Sequence, residues 1–161
     1  MSLPQTGHEH HERIREHVDR LPALADMLEL RPPPPEFAPR FIREYDFITG
    51  TLWPHVEVVE ASVYPELERL MQNRHSMAPM RREHEELGRL IESMGSYVDR
   101  VEAGPLNPTD ALGLRRLIIQ FYALVKTHVA EETEYLRVLQ GNLSDEEQDA
   151  IVAGMAHAVT E

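Results

Sequence analysis

The 161-residue chain repeats itself. Shifting its first half by 73 positions lays His11 on His84 and His55 on His128, because 44 residues separate the members of each histidine pair. The apolar residues obey the same shift. Ile14 falls on Leu87, Val18 on Ile91, Leu21 on Met94, Ala25 on Val98 and Leu28 on Val101, while Ile48 falls on Phe121 and Leu52 on Val125. These positions recur every three or four residues, the interval that lines up side chains on one face of an α-helix. The repeat is therefore a helical hairpin used twice, with one histidine on the apolar face of each helix. Two such hairpins packed face to face bring four imidazoles into one interior.

Local signals set the helix ends. Thr6 with Glu9 reads as a capping box, so the first helix is expected near Gly7 and runs to about residue 30, short of the stiff connector Pro32–Pro35. A second helix, about 36–71, turns Phe41, Ile48, Leu52 and Val63 inward; Pro54 and Pro65 each remove a backbone donor and are expected to kink it. Ser76 is placed to cap a third helix, about 77–103. Asn107 and Pro108 open a fourth, about 108–140, closed by Gly141. Ser144 with Glu147 is a further capping box, opening a short acidic helix over about 145–159. No stretch alternates with period two, so no sheet is expected. The predicted fold is all-α: an antiparallel up-down-up-down four-helix bundle with a short extra C-terminal helix, one domain over residues 1–161.

Charge and composition narrow the function. A net charge of −12 argues against nucleic acid and anionic membrane surfaces, both of which need a basic face. With no cysteine, disulfides, thiolate metal sites and cysteine nucleophiles are excluded. The N-terminal residues lack a basic and an apolar leader region, and no apolar run approaches the ~18 residues of a membrane span, so a cytoplasmic location is expected. Histidine is the outlier, with nine in all and four between His8 and His17.

The chemistry concentrates in the fourth helix. His128 and Glu132 are four residues apart, about 40° and about 6 Å on one helix face. That face is the apolar one, shared with Leu114, Leu117, Phe121, Val125 and Leu136. An imidazole and a carboxylate turned into a core are costly unless paired or bound to a metal. With the repeat, the candidate ligands become His11, His55, His84, His128 and Glu132. Imidazole with carboxylate suits borderline to hard cations such as iron, manganese or zinc, and bundle cores hold paired metals in this way.

His11, His55, His84 and the run His128-x-x-x-Glu132, one per helix and in this order, resemble the hemerythrin-like (HHE cation-binding) pattern. The phrases His55-x9-Pro65-x-Leu67 and Met80-Arg-Arg-Glu-His84-Glu-Glu-Leu87 fit it too. The resemblance covers about residues 7–159 and implies a four-helix bundle around a non-haem di-iron centre in proteins that bind dioxygen, sense iron or oxygen, or handle nitric oxide and peroxide. One departure stands out. The family's second-helix motif is also His-x-x-x-Glu, but the position matching Glu132 is Val59. Glu60 lies about 100° further round the helix and reaches the site only if a proline rotates the register. His17, at the edge of the first apolar stripe, is the other substitute: a ligand, a partner to a ligand, or a satisfied core histidine. One carboxylate fewer implies a weaker second iron, or one iron only.

Three functions follow: reversible binding or sensing of a small ligand such as dioxygen or nitric oxide; an oxidoreductase removing peroxide or nitric oxide; or a metal-free bundle acting through a partner protein. A peroxide-cleaving site needs a proton donor, a role open to an unligated His17. His8 and His10 are expected to be solvated, and His75 and His157 carry no assignment. Tyr45 and Trp53, just before His55, either line a pocket or pack as core.

Overall fold

A computed structural model describes residues 3–149 and 151 of the chain, with side chains described from His11 onward. The described residues are mostly helical and contain no strand. In chain order the helices are α1 (Leu3–Val18), α2 (Leu21–Met27), α3 (Phe37–Phe47), α4 (Trp53–Leu70), α5 (Ala78–Gly95), α6 (Val98–Ala103) and α7 (Pro108–Asn142), with a helical turn at residues 145–149. The long α7 is the axis of the packing: α1, α2, α4 and α5 all lie against it.

Several helix ends differ from the sequence expectation, each for a local reason. The first helix begins at Leu3, so Thr6 and Glu9 lie within it rather than at its cap. Their side chains fall outside the described residues, as does most of the expected segment 145–159 beyond Asp149. The same helix breaks at Asp19–Arg20 instead of running to residue 30. Pro22 in the first turn of α2 has no N–H to offer the Val18 carbonyl, and its ring crowds that carbonyl. The chain tightens there, with Arg20 N–H bonding His17 O at 3.1 Å, and then restarts.

Between α3 and α4 the helix continues but widens into a π turn over Ile48–Leu52. Pro54 follows at once and cannot donate to the Gly50 carbonyl, so a wide turn relieves the clash that a regular helix would suffer. The distortion expected at Pro54 therefore takes this form, whereas Pro65 sits inside an unbroken α4. Ser76 does not cap α5; Met77 holds that position, and the buried Ser76 hydroxyl makes no hydrogen bond. Gly141 lies inside α7, which ends when Leu143 turns to extended backbone. The expected third helix divides into α5 and α6 at Ser96–Tyr97, where poor helix formers Gly95 and Ser96 meet.

Two caps do form as read. Asn107 accepts hydrogen bonds from the backbone N–H groups of Thr109 and Asp110 at 3.0 and 2.9 Å. Ser144 and Glu147 close a reciprocal box, with Ser144 N–H donating to Glu147 Oε2 at 2.9 Å.

Among the described residues the apolar interior is two clusters, not one. Ile14, Leu52, Leu87, Val125 and Val129 belong to the larger. Val59, Val63, Tyr64, Met80 and Leu139 belong to the smaller. On α5 and α7 the two clusters are separated by a histidine: Met80 and Leu87 flank His84, while Val125 and Leu139 lie either side of His128 and Glu132. A buried polar layer thus crosses the bundle between two apolar halves. Tyr45 and Trp53 are core rather than pocket: Trp53 covers Gly88 so closely that a Cβ there would meet its ring at 2.9 Å, and Tyr45 donates to Ile91 O at 3.4 Å. No helix among the described residues is long and apolar enough to cross a membrane.

Candidate metal centre

Each side chain of the polar layer is delivered by a helix whose apolar face points inward. His11 comes from α1, His55 from α4, His84 from α5, and His128 and Glu132 from α7. All five are buried, none more than 5% exposed. Burying five ionisable groups in one place is costly unless each finds a partner.

They meet as two groups that share one carboxylate. Ligand atoms of His11, His55 and Glu132 lie within 4.8 Å of one another, and so do those of His84, His128 and Glu132. Each group takes its two histidines from one half of the internal repeat, and Glu132 alone serves both. In the first group, Glu132 Oε2 stands 3.0 Å from His11 Nε2 and 3.3 Å from His55 Nε2. Glu132 Oε1 is buried and has no hydrogen-bond partner. In the second group the Nε2 atoms of His84 and His128 face each other at 2.9 Å.

The outer nitrogens decide what the inner ones can do. His84 Nδ1 lies 2.7 Å from Glu60 Oε1, and His128 Nδ1 lies 2.8 Å from Glu83 Oε2. A carboxylate accepts only, so each imidazole keeps its proton on Nδ1 and turns the Nε2 lone pair inward. His11 Nδ1 lies 3.2 Å from Thr133 Oγ1, whose own hydroxyl donates to Val129 O, so this ring too directs its proton outward. Two inward lone pairs 2.9 Å apart repel unless a proton or a cation lies between them. The same holds for His11 Nε2 against the Glu132 carboxylate. This donor set, nitrogen and oxygen without sulfur and with one carboxylate oxygen unpartnered, fits a borderline to hard cation. The carboxylates on the outer nitrogens are the usual supports of metal-ligating imidazoles.

Electrostatics agree with a site kept ready for a cation. Burial, and then the neighbouring His128, lower the pKa of His84, which keeps it in the neutral form a metal requires, although Glu60 pulls the other way. Burial alone would raise the Glu132 pKa, but the close imidazoles of His11 and His55 outweigh it and hold the carboxyl well below its ordinary range.

The two substitutes weighed for the carboxylate absent at Val59 are placed elsewhere. Val59 itself is fully buried in the smaller apolar cluster. Glu60 reaches the outer nitrogen of His84, not the inner face. His17 joins neither ligand group: its Nδ1 lies 2.6 Å from the buried Glu44, and its ring stacks on Phe47 at 3.6 Å between centroids. The pair is a satisfied interior contact, with Arg43 also bonding Glu44 at 3.1 Å.

Two contributors escaped the sequence reading. Glu83 directly precedes His84 and looks like ordinary surface charge, yet it serves His128 on another helix. Tyr64 is fully buried, its hydroxyl 3.2 Å from His84 Nε2 and its ring stacked on that imidazole. Burial, and then the negative charge of Glu132, Glu60 and Glu83, push the phenol pKa up.

A family model, the Hemerythrin HHE cation binding domain, matches residues 5–150. Comparison with curated proteins and with solved structures gave no match.

Proposed function

Since the chain belongs to the hemerythrin HHE cation-binding family, we propose that it holds two iron ions in the polar layer of an up-down-up-down bundle and binds a small diatomic ligand, dioxygen or nitric oxide, as carrier or sensor. His11 and His55 would hold one ion and His84 and His128 the other, with Glu132 shared. The observation that carries the reading is Glu132, a buried carboxylate set between two histidine pairs with one oxygen left unpartnered. Bound iron supplies an open coordination position for the ligand. The chain's own residues do the rest: Glu60 and Glu83 orient the imidazoles, and the flanking apolar clusters keep water from the layer.

The enzymatic alternative, removal of peroxide or nitric oxide, leaned on His17 as a proton donor. With His17 held by Glu44 that support is withdrawn, so binding or sensing is preferred. A metal-free bundle working through a partner has no use for five buried ligand-type groups. Stopped-flow mixing of the iron-loaded protein with dioxygen, nitric oxide and peroxide tests the choice. The expected result is a reversible spectral change with a diatomic ligand and no repeated turnover of peroxide. Sustained peroxide turnover would favour the enzyme instead.

A further inference from the structure

We infer that Tyr64 is a metal ligand: its phenol oxygen supplies the second anionic donor that Val59 does not, completing the position beside His84 and His128. The inference rests on the metal centre proposed above.

Geometry is the first support. Metal–ligand bonds of about 2.1 Å put neighbouring ligand atoms about 3.0 Å apart in an octahedron and about 3.4 Å apart in a tetrahedron. Three inner contacts of this site fall in or next to that range, 2.9 Å between His84 and His128 and 3.0 and 3.3 Å from Glu132 to His11 and His55, while the ligand atoms of Glu132, His84 and His128 lie within 4.8 Å of one another. Tyr64 Oη stands 3.2 Å from His84 Nε2, so it too lies at ligand-to-ligand distance.

The second support is the fate of the hydroxyl. In the structure Tyr64 O–H donates to His84 Nε2. Once that lone pair is committed to a cation, the phenol loses its acceptor while remaining fully buried, and a buried hydroxyl without a partner is destabilising. Coordination through oxygen removes the conflict, with the phenol proton leaving to the buffer as ligand protons do when a metal binds.

Charge is the third. Four neutral imidazoles and one carboxylate bring a single negative charge to two cations. Glu60 and Glu83 bond the outer nitrogens and do not touch the inner face. A phenolate is the further anion that the inner face can provide. The ring is held for it, stacked on His84 at 12° between planes and covered by the Arg81 guanidinium at 5.5 Å from its centroid.

The test is optical. The full chain is loaded with ferric iron, its iron is counted, and its visible absorption is recorded beside Tyr64→Phe, Tyr64→His and a Tyr135→Phe control. A phenolate bound to ferric iron gives a visible charge-transfer band whose resonance Raman spectrum shows tyrosinate ring modes. The expectation is a band in wild type and Tyr135→Phe, none in either Tyr64 variant, and iron loss to a chelator at least about tenfold faster in Tyr64→Phe. Tyr64→His keeps a ligand there and should retain its iron without the band, which separates lost coordination from lost folding. Iron bound without the band, or a band that survives both Tyr64 substitutions, overturns the inference and leaves the metal centre standing. If both Tyr64 variants fail to fold, the wild-type Raman spectrum decides, and absent tyrosinate modes overturn it. A wild type that binds no iron overturns both.

Discussion

An imidazole ligates through a lone pair pointing in and is aimed by a proton pointing out, and at His84 and His128 the outward protons are held by Glu60 and Glu83. Glu83→Ala should therefore weaken iron binding roughly 10- to 100-fold while leaving helix content unchanged, measured by chelator competition and circular dichroism. Unchanged affinity would show that Glu83 is mere surface charge. His17→Leu should do the opposite: iron binding is kept, but the buried Glu44 loses its 2.6 Å partner and folding stability falls by about 1–3 kcal/mol in a denaturant titration. Reduced iron content in that variant would return His17 to the ligand set. At this scale the sequence was legible where a residue obeyed the helical period and the repeat, as His11, His55, His84, His128 and Glu132 did. Glu83 and Tyr64 were illegible because they act across helices. Tyr64 is nine positions from His55, about two and a half turns along the same helix and so on its opposite side, and its hydroxyl meets His84 on α5.

Elements in this chain are set by their ends and by proline. Asn107 closes the first turn of α7, the helix that carries both His128 and Glu132. Asn107→Ala should cost about 1 kcal/mol and lower the thermal midpoint by about 2–4 °C, with iron stoichiometry unchanged. A midpoint equal to wild type would mean that the cap contributes nothing. Capping signals at Asn107 and Ser144 could be read directly because their partners lie within three residues. The split of the first helix was missed because the apolar stripe runs on through Leu21, Ala25 and Leu28, all buried, and outweighed the local effect of Pro22. The π turn before Pro54 is similar. A proline signals that a helix must distort, not how, and here the distortion is one wide turn ahead of His55.

At the scale of the whole molecule, the internal repeat becomes a division of labour. Each half of the chain provides one pair of histidines, and Glu132 in the second half serves both because Val59 stands at its counterpart in the first. The all-helical class followed from the periodicity, while the split of the core into two apolar clusters did not. Seeing the split requires knowing that four polar positions fall at one level. This level is the proposed metal centre, built on Glu132. The most direct test counts metal in the full chain expressed with added iron, alongside Glu132→Ala. Two irons per chain in wild type and a loss of most of them in Glu132→Ala is the predicted result. A metal-free wild type, or equal iron in the two proteins, would contradict it.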